Sequence, residues 1–382
     1  MNVLARVGGH VRQAGDNDLV EGQTVRVSRR TILAGGMVVA GSGLPNPRRS
    51  IARATKRVRK SFVCGLNCSG LEDSPPGAPT LAMLRYYARK GIRYIRLPGR
   101  WEHFQPALGG GFDAQYCNLY RSVLEYCKVA GIRVICEPCH NFGRYKEKGQ
   151  TYRFGDGRLT PAAFAQFWSE FCRRFGDMSC IAGWDLMNEP YDLAGQGGLS
   201  WQEAAQAAIL AIRDIDGVRP VWVEGYGYSN PATWPAANPT LHLLDDPARN
   251  LIFSAHCYLD RDNSGTHYYW DEEARIGDQI LGAPLDRDTG IRRIRPFVEW
   301  LRTHSLRGNI GECGAGRQDA AGRPGNEGWL AALDATMRFC DALDMPIYYW
   351  GTGTDLGTAY PYGLEPIHGK DAPQWRILRK YL

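Results

Sequence analysis

The chain has 382 residues, 44% of them hydrophobic and 23% charged, enough for one large domain with a leader or for two ordinary domains. Its formal charge of +6 is concentrated in residues 1–60, which hold 12 Lys/Arg against 3 Asp/Glu and leave the remainder close to −3. A body of that balance excludes a nucleic-acid-binding surface.

Residues 1–60 read as an export signal followed by a flexible linker. Ser28-Arg29-Arg30-Thr31-Ile32-Leu33 sets an arginine pair against the Gly-rich apolar run Ala34-Gly35-Gly36-Met37-Val38-Val39-Ala40-Gly41, the pattern of a twin-arginine signal. That run is too short to cross a bilayer, which takes about 20 apolar residues, so no membrane span is expected. Residues 44–60 are rich in Pro, Arg and Ser, and both Ala40-Gly41-Ser42 and Ala52-Arg53-Ala54 suit a small-x-small cleavage site. The protein is therefore expected in the periplasm or outside the cell, as a monomer. Its 11 cysteines, an odd number, fall largely inside predicted strands (Cys136, Cys257) and helices (Cys127, Cys172, Cys340). They read as small buried thiols and not as a disulfide framework, which suits a chain that folds before it is exported.

From residue 61 onward, β-rich apolar runs alternate with amphipathic stretches. The strands are predicted at 62–67, 94–98, 133–139, 183–187, 220–224, 251–258, 308–312 and 346–350. Helical spacing of apolar residues marks 81–90, 114–130, 161–175, 201–214, 290–304 and 326–343 between them, and Gly91 and Gly131 close the first two. Eight strands alternating with helices favour a single (β/α)₈ barrel over residues 61–382 rather than an open doubly wound sheet. The polar, aromatic segment 260–287 is expected to wall the mouth of the barrel.

In such a barrel the C-terminal ends of the strands converge on one mouth and collect the reactive groups. Those ends supply Arg96 from the second strand, His140 and Asn141 from the third, and Asn188 and Glu189 from the fourth. The sixth gives His256 and Tyr258, the seventh Glu312 and the eighth Trp350. Two glutamates facing each other across a barrel mouth can serve as acid/base and nucleophile in breaking a glycosidic bond. A nucleophilic carboxylate must stay ionised, so a cation and a hydroxyl donor belong beside it. An acid must keep its proton near neutral pH, so its partner needs an apolar wall or a nearby negative charge.

This set of strand ends, with Trp184-Asp185-Leu186-Met187-Asn188-Glu189-Pro190 and Ile310-Gly311-Glu312-Cys313-Gly314 at its centre, resembles glycoside hydrolase family 5 over the whole barrel. The resemblance implies that Glu189 is the general acid/base and Glu312 the nucleophile, held by Arg96 and Tyr258. It further implies that Asn188 bonds the sugar 2-hydroxyl, that His140 and His256 line the subsite of the cleaved sugar, and that Trp350 is its stacking floor. His140-Asn141-Phe142-Gly143-Arg144-Tyr145 and the loop Tyr258-Leu259-Asp260-Arg261-Asp262-Asn263-Ser264-Gly265-Thr266 look like loops of the endo-β-1,4-glucanases in that family. The implied enzyme is a retaining, endo-acting glycosidase of a polysaccharide or oligosaccharide, with no cofactor and no metal.

Gly351-Thr352-Gly353-Thr354 follows Trp350 where relatives carry bulky aromatics, and Cys257 and Cys313 sit beside the catalytic positions. This altered rim leaves open a second substrate, a branched or substituted bacterial exopolysaccharide. A non-catalytic carbohydrate-binding barrel is the reading from another class, and both glutamates speak against it. Cys136-Glu137-Pro138-Cys139-His140 matches the haem-attachment pattern, but it overlaps a barrel strand, and no second ligand pair supports zinc there. Trp101, Trp201, Trp234 and Trp270 are candidate platforms for outer sugars, whereas Trp168, Trp300 and Trp329 belong to the core.

Overall fold

The computed structural model describes residues 62–317, 327–354, 360–366 and 368–382. The leader, its arginine pair and its cleavage points lie outside the described residues. In chain order the elements are β1 (Cys64–Ser69), α1 (Leu81–Lys90), β2 (Tyr94–Pro98), α2 (Trp101–Phe104), α3 (Ala114–Ala130), β3 (Arg133–Glu137), β4 (Arg144–Glu147) and β5 (Gln150–Arg153). Then come α4 (Pro161–Phe175), β6 (Ile181–Asp185), α5 (Gly198–Arg213), β7 (Val221–Glu224), α6 (Trp234–Ala237), β8 (Leu251–Tyr258) and α7 (Trp270–Ile276). The chain ends with α8 (Thr289–Thr303), β9 (Gly308–Gly314), α9 (Glu327–Ala342), β10 (Ile347–Gly353) and α10 (Trp375–Leu378).

Eight of the strands close into a parallel barrel in the order β1-β10-β9-β8-β7-β6-β3-β2, while β4 and β5 form a separate antiparallel hairpin beyond β3. The strands are buried on both faces, as strands wrapped by helices must be, which explains their continuous apolar runs. The helices begin where side chains can take up orphan amide protons. Thr80 accepts from the amide of Met83, Asp113 from that of Tyr116 and Thr160 from that of Ala163, with Pro161 opening α4. At the other end Gly91 (φ 110°) and Gly131 (φ 71°) adopt the left-handed conformation that ends α1 and α3.

One face of α4 shows how the shell grips the barrel. Phe164, Phe167, Trp168, Phe171 and Phe175 recur at helical spacing and are buried, and Trp168 and Phe171 meet the indole of Trp184 on β6 at ring distances of 6.4 and 5.9 Å. Trp101, expected as a platform, is instead fully buried among Tyr145, Phe164 and Phe167 at 5.2 Å each. Trp201 and Trp234 are equally inaccessible, and Trp270 lies edge-on to Trp329 at 5.2 Å. Trp101, Trp201 and Trp234 therefore serve packing and are not sugar platforms, whereas Trp270 is half-buried. All 11 cysteines are free and buried, as expected of small core thiols.

Among the described residues no helix is long and apolar enough to cross a membrane. The segment after β8 is not one long loop, because α7 interrupts it, yet its first turns do face the barrel mouth.

Candidate active site

The predicted strand ends meet in a cavity of about 730 Å³ at the C-terminal mouth of the barrel, lined by His140, Asn188, Glu189, Tyr258, Glu312 and Trp350. Glu312 is aimed by a break in strand register. Ala255 pairs with Ile310 but His256 pairs with Glu312, so Gly311 is the extra residue of a bulge between β8 and β9. Only glycine fits there, because a Cβ would fall 2.2 Å from Ser254 Oγ and 3.0 Å from His256 Nε2. Arg96 Nη1 then donates to Glu312 Oε1 at 2.8 Å and the Tyr258 hydroxyl donates to Oε2 at 2.6 Å. Burial and the neighbouring Glu312 push the Tyr258 hydroxyl well above its ordinary pKa, so it remains a donor.

Glu189 sits just past β6 in the left-handed region, at φ 44°. A glutamate rarely holds that conformation without being compelled. Here its amide donates to Glu224 Oε2 at 2.6 Å, and its side-chain Oε1 receives His256 Nδ1 at 2.6 Å. Burial raises the Glu189 pKa, with Glu312 and Glu224 adding to the shift and His256 opposing it. Burial also opposes a charge on His256, but Glu224 and Glu312 outweigh it and hold the imidazole protonated well above its usual range. One Glu189 oxygen can therefore accept from the imidazolium while the other keeps an acidic proton. Donor atoms of Glu189, His256 and Glu312 all lie within 4.8 Å of one another, so the two carboxylates are close neighbours.

Beneath them, Arg96 is the hub. Its guanidinium reaches Asp185 at 2.7 Å, Glu224 at 2.6 Å, Glu312 at 2.8 Å and Glu137 at 3.4 Å, and also donates to Asn188 Oδ1 at 3.0 Å and Asn67 Oδ1 at 3.2 Å. One guanidinium and one imidazolium cannot neutralise all these buried carboxylates at once. The strain is relieved by protonation: burial raises Glu137 and Asp185 well above the carboxylate range. Burial acts on Glu224 too, but His256, Arg96 and the Glu189 amide overcome it and lower its pKa to about 2. Glu224 thus stays ionised and ties together the Glu189 backbone, His256 and Arg96. Burial lowers the His140 pKa, so this imidazole is neutral where it contacts Glu137 Oε2 at 2.9 Å, and its ring stacks on Trp350 at 5.6 Å.

One sequence-based placement needs correction. His256 does not line the cavity. It is fully buried under Glu189, held between that side chain and Glu224 Oε1 at 3.2 Å. Asn141, at the end of β3, accepts from the Trp101 amide at 2.9 Å and donates to Glu102, which fixes α2 against that strand end. The aromatic bulk missing after Trp350 is supplied from elsewhere, by Tyr360, Tyr268, Tyr228 and Phe142 in the cavity wall.

Sequence reading passed over Glu137, Asp185 and Glu224. A signal was present in each case, a carboxylate at the end of an apolar strand: Val134-Ile135-Cys136-Glu137, Ala182-Gly183-Trp184-Asp185 and Val221-Trp222-Val223-Glu224. Among the described residues two clusters could offer three donors to a cation, Glu189-His256-Glu312 and Asp260-Asp262-His267. In the first the donors are engaged with each other. In the second, Asp260 Oδ2 already accepts the amides of Thr266 and His267 and the hydroxyl of Ser264, which shapes the loop.

Comparison with known proteins adds to this geometry. The profile of the cellulases, glycosyl hydrolase family 5, matches residues 59–354. The chain is similar to a probable endo-beta-1,4-glucanase B of Aspergillus oryzae, 28% identical over 87% of this chain and 92% of that one. It is also similar to the crystal structure of the Pseudomonas stutzeri endoglucanase Cel5A in complex with cellobiose, with a TM-score of 0.73 and 33% identity over 84% of this chain and 92% of that one. An endo-beta-1,4-glucanase structure from Xanthomonas axonopodis pv. citri gives a TM-score of 0.71 and 27% identity over 84% and 98% of the two chains.

The position of Glu224 can be tested without disturbing the mouth itself. Glu224→Gln keeps the shape but loses the charge that holds His256 and Arg96, so kcat is expected to fall about 10²-fold, the scale for small misplacement of reacting groups. KM should change little, since Glu224 does not line the cavity. Steady-state kinetics on a soluble glucan check both numbers.

Proposed function

Starting from the fact that the chain belongs to the cellulases of glycosyl hydrolase family 5, and so is a glycoside hydrolase, we propose that it is a retaining endo-β-1,4-glucanase in which Glu189 and Glu312 perform the chemistry. The single observation that carries this reading is the placement of carboxylate oxygens of Glu189 and Glu312 within 4.8 Å of each other. That spacing suits direct attack on the sugar, for which about 5–5.5 Å separates the carboxyl groups. Inversion would need about 6.5–9.5 Å to admit a water between them. The endoglucanase names of the similar proteins support the β-1,4-glucan as substrate.

In the proposed first step, Glu312 attacks the anomeric carbon and Glu189 gives its proton to the departing glycosidic oxygen. Arg96 and Tyr258 hold the attacking oxygens, and burial keeps Glu189 protonated until the leaving group needs the proton. In the second step Glu189, now a carboxylate beside the His256 imidazolium, takes a proton from the water that releases the sugar. Asn188 is directed by Arg96 towards the sugar in the same cavity, and Trp350, backed by His140, offers an apolar face to the C–H side of the ring.

We also propose that residues 1–60 direct export of the folded barrel by the twin-arginine route. Replacing Arg29 and Arg30 by lysine should leave active enzyme in the cytoplasm, because a guanidinium pair is read there and not charge alone. Undiminished export of the Lys-Lys protein, measured by fractionation, would mean an ordinary secretory signal.

Glu189→Ala and Glu312→Ala should each lower kcat by at least about 10²–10⁴-fold on carboxymethylcellulose. Product NMR should show the β-anomer first; initial α-anomer would contradict retention. The Glu189 acid is active when protonated and its pKa is raised, so rate is retained below that pKa and lost as pH rises through it. The alkaline limb of kcat against pH should therefore lie above the ordinary glutamate value of about 4.3, and it should vanish in Glu189→Ala.

A further inference from the structure

Beside the catalytic cavity lies a second cleft, and Phe142 lines both. Its volume is about 560 Å³, and it is formed by the loops after β2, β3 and β6 together with the β4–β5 hairpin. Four cations line it, Arg100, Arg144, Lys146 and Arg153, against two carboxylates, Glu102 and Asp192. Asp192 is shared between Arg144 at 3.2 Å and Arg153 at 2.9 Å, so one anion serves two guanidinium groups. Glu102 is engaged by the Asn141 amide. The Arg100 guanidinium donates to the Glu72 carbonyl, and among the described residues neither Arg100 nor Lys146 makes an ion pair.

The cleft is joined to the chemistry by a stack of flat groups. Arg144 lies over Tyr191 at 4.0 Å, Tyr191 stacks on Tyr228 at 3.9 Å, and Tyr228 lines the catalytic cavity. Asp192 and Tyr191 sit on the same short loop as Glu189. Positive charge in excess by two, in a concave site that shares the Phe142 wall with the cavity of Glu189 and Glu312, is suited to a carboxylate carried by the polymer. Guanidinium groups bind carboxylates through two parallel hydrogen bonds, and the aromatic stack keeps Arg144 from folding away.

We propose that this cleft is an accessory subsite for an anionic sugar unit, so that the enzyme's preferred polymer is a β-glucan bearing carboxylate groups. The proposal rests on the endoglucanase reading above and narrows its substrate. A uronic acid in the backbone and a carboxyl-bearing side group present the same chemistry to the cleft.

The test is affinity electrophoresis in native gels, which reads binding whether or not the polymer is cut. The full chain carrying Glu189→Gln and Glu312→Gln is run in carboxymethylcellulose, in a polyuronate such as alginate, and in neutral hydroxyethylcellulose. Stronger retardation by carboxymethylcellulose than by the neutral polymer is expected, reduced about tenfold in apparent affinity by adding Arg100→Gln and Lys146→Gln, and reduced likewise by 0.5 M salt, which screens exposed charges. Arg89→Gln with Arg302→Gln removes the same charge from exposed positions elsewhere and should change nothing. Retardation by alginate as well would assign the carboxylate to the backbone sugar, and retardation by carboxymethylcellulose alone to a side group. Equal retardation by charged and neutral polymers, no retardation by either, or equal loss in the Arg89/Arg302 control would overturn the proposal. Failure of the endoglucanase reading shows separately, as the absence of new reducing ends when the wild-type enzyme is given neutral hydroxyethylcellulose.

Discussion

Everything at the barrel mouth depends on one buried cation. Arg96 on β2 is almost inaccessible to solvent and faces Glu137, Asp185, Glu224 and Glu312 from four other strands. A buried guanidinium is tolerable only if its donors are all used, and a buried carboxylate only if something pays it back. The solution is uneven. Glu224 stays ionised, while burial pushes Glu137 and Asp185 towards their protonated forms even though Asp185 lies 2.7 Å from Arg96. Removing one partner of such a network typically costs about 3–5 kcal/mol, because the remaining charges are left without compensation. The carboxylates at the barrel mouth are thus held together through one side chain that ties five strands.

Glu189, the proposed acid/base, depends on that hub at second hand. Arg96 holds Glu224, Glu224 holds the Glu189 amide and His256, and His256 holds the Glu189 side chain. The left-handed backbone at Glu189 is maintained by this chain of contacts. On the other side of the cavity, the bulge at Gly311 turns the Glu312 side chain towards Arg96 and Tyr258. Two local departures from regular backbone, one at each glutamate, bring the pair within reach of one sugar.

The barrel was legible because its signals are local. Strands buried on both faces leave unbroken apolar runs, and capping residues such as Thr80, Asp113 and Thr160 mark where helices start, so α1, α3, α4, β2 and β8 coincide with their predicted spans. Strand ends drifted by a few residues where register shifts intervene, as in β9 and β10, which run on to Gly314 and Gly353. The glutamates could be found because each follows an apolar run. Depth could not be read in this way. His256 and Trp350 both lie near the ends of predicted strands, yet one is fully buried and the other faces the cavity, since the difference lies in neighbours from distant strands. The same blindness hid Glu137, Asp185 and Glu224, because only the fold gathers these distant strand ends around Arg96. It also made platforms of Trp101, Trp201 and Trp234, which the folded chain uses as core.

The central claim is that Glu312 becomes covalently bonded to the sugar while Glu189 manages the proton. Incubation with an activated 2-deoxy-2-fluoro β-cellobioside slows release of the glycosyl-enzyme, and peptide mass spectrometry then locates the added sugar. The expected result is stoichiometric labelling of the peptide that contains Glu312, absent in Glu312→Ala. Labelling at Glu189, or turnover with no covalent adduct at all, would contradict it.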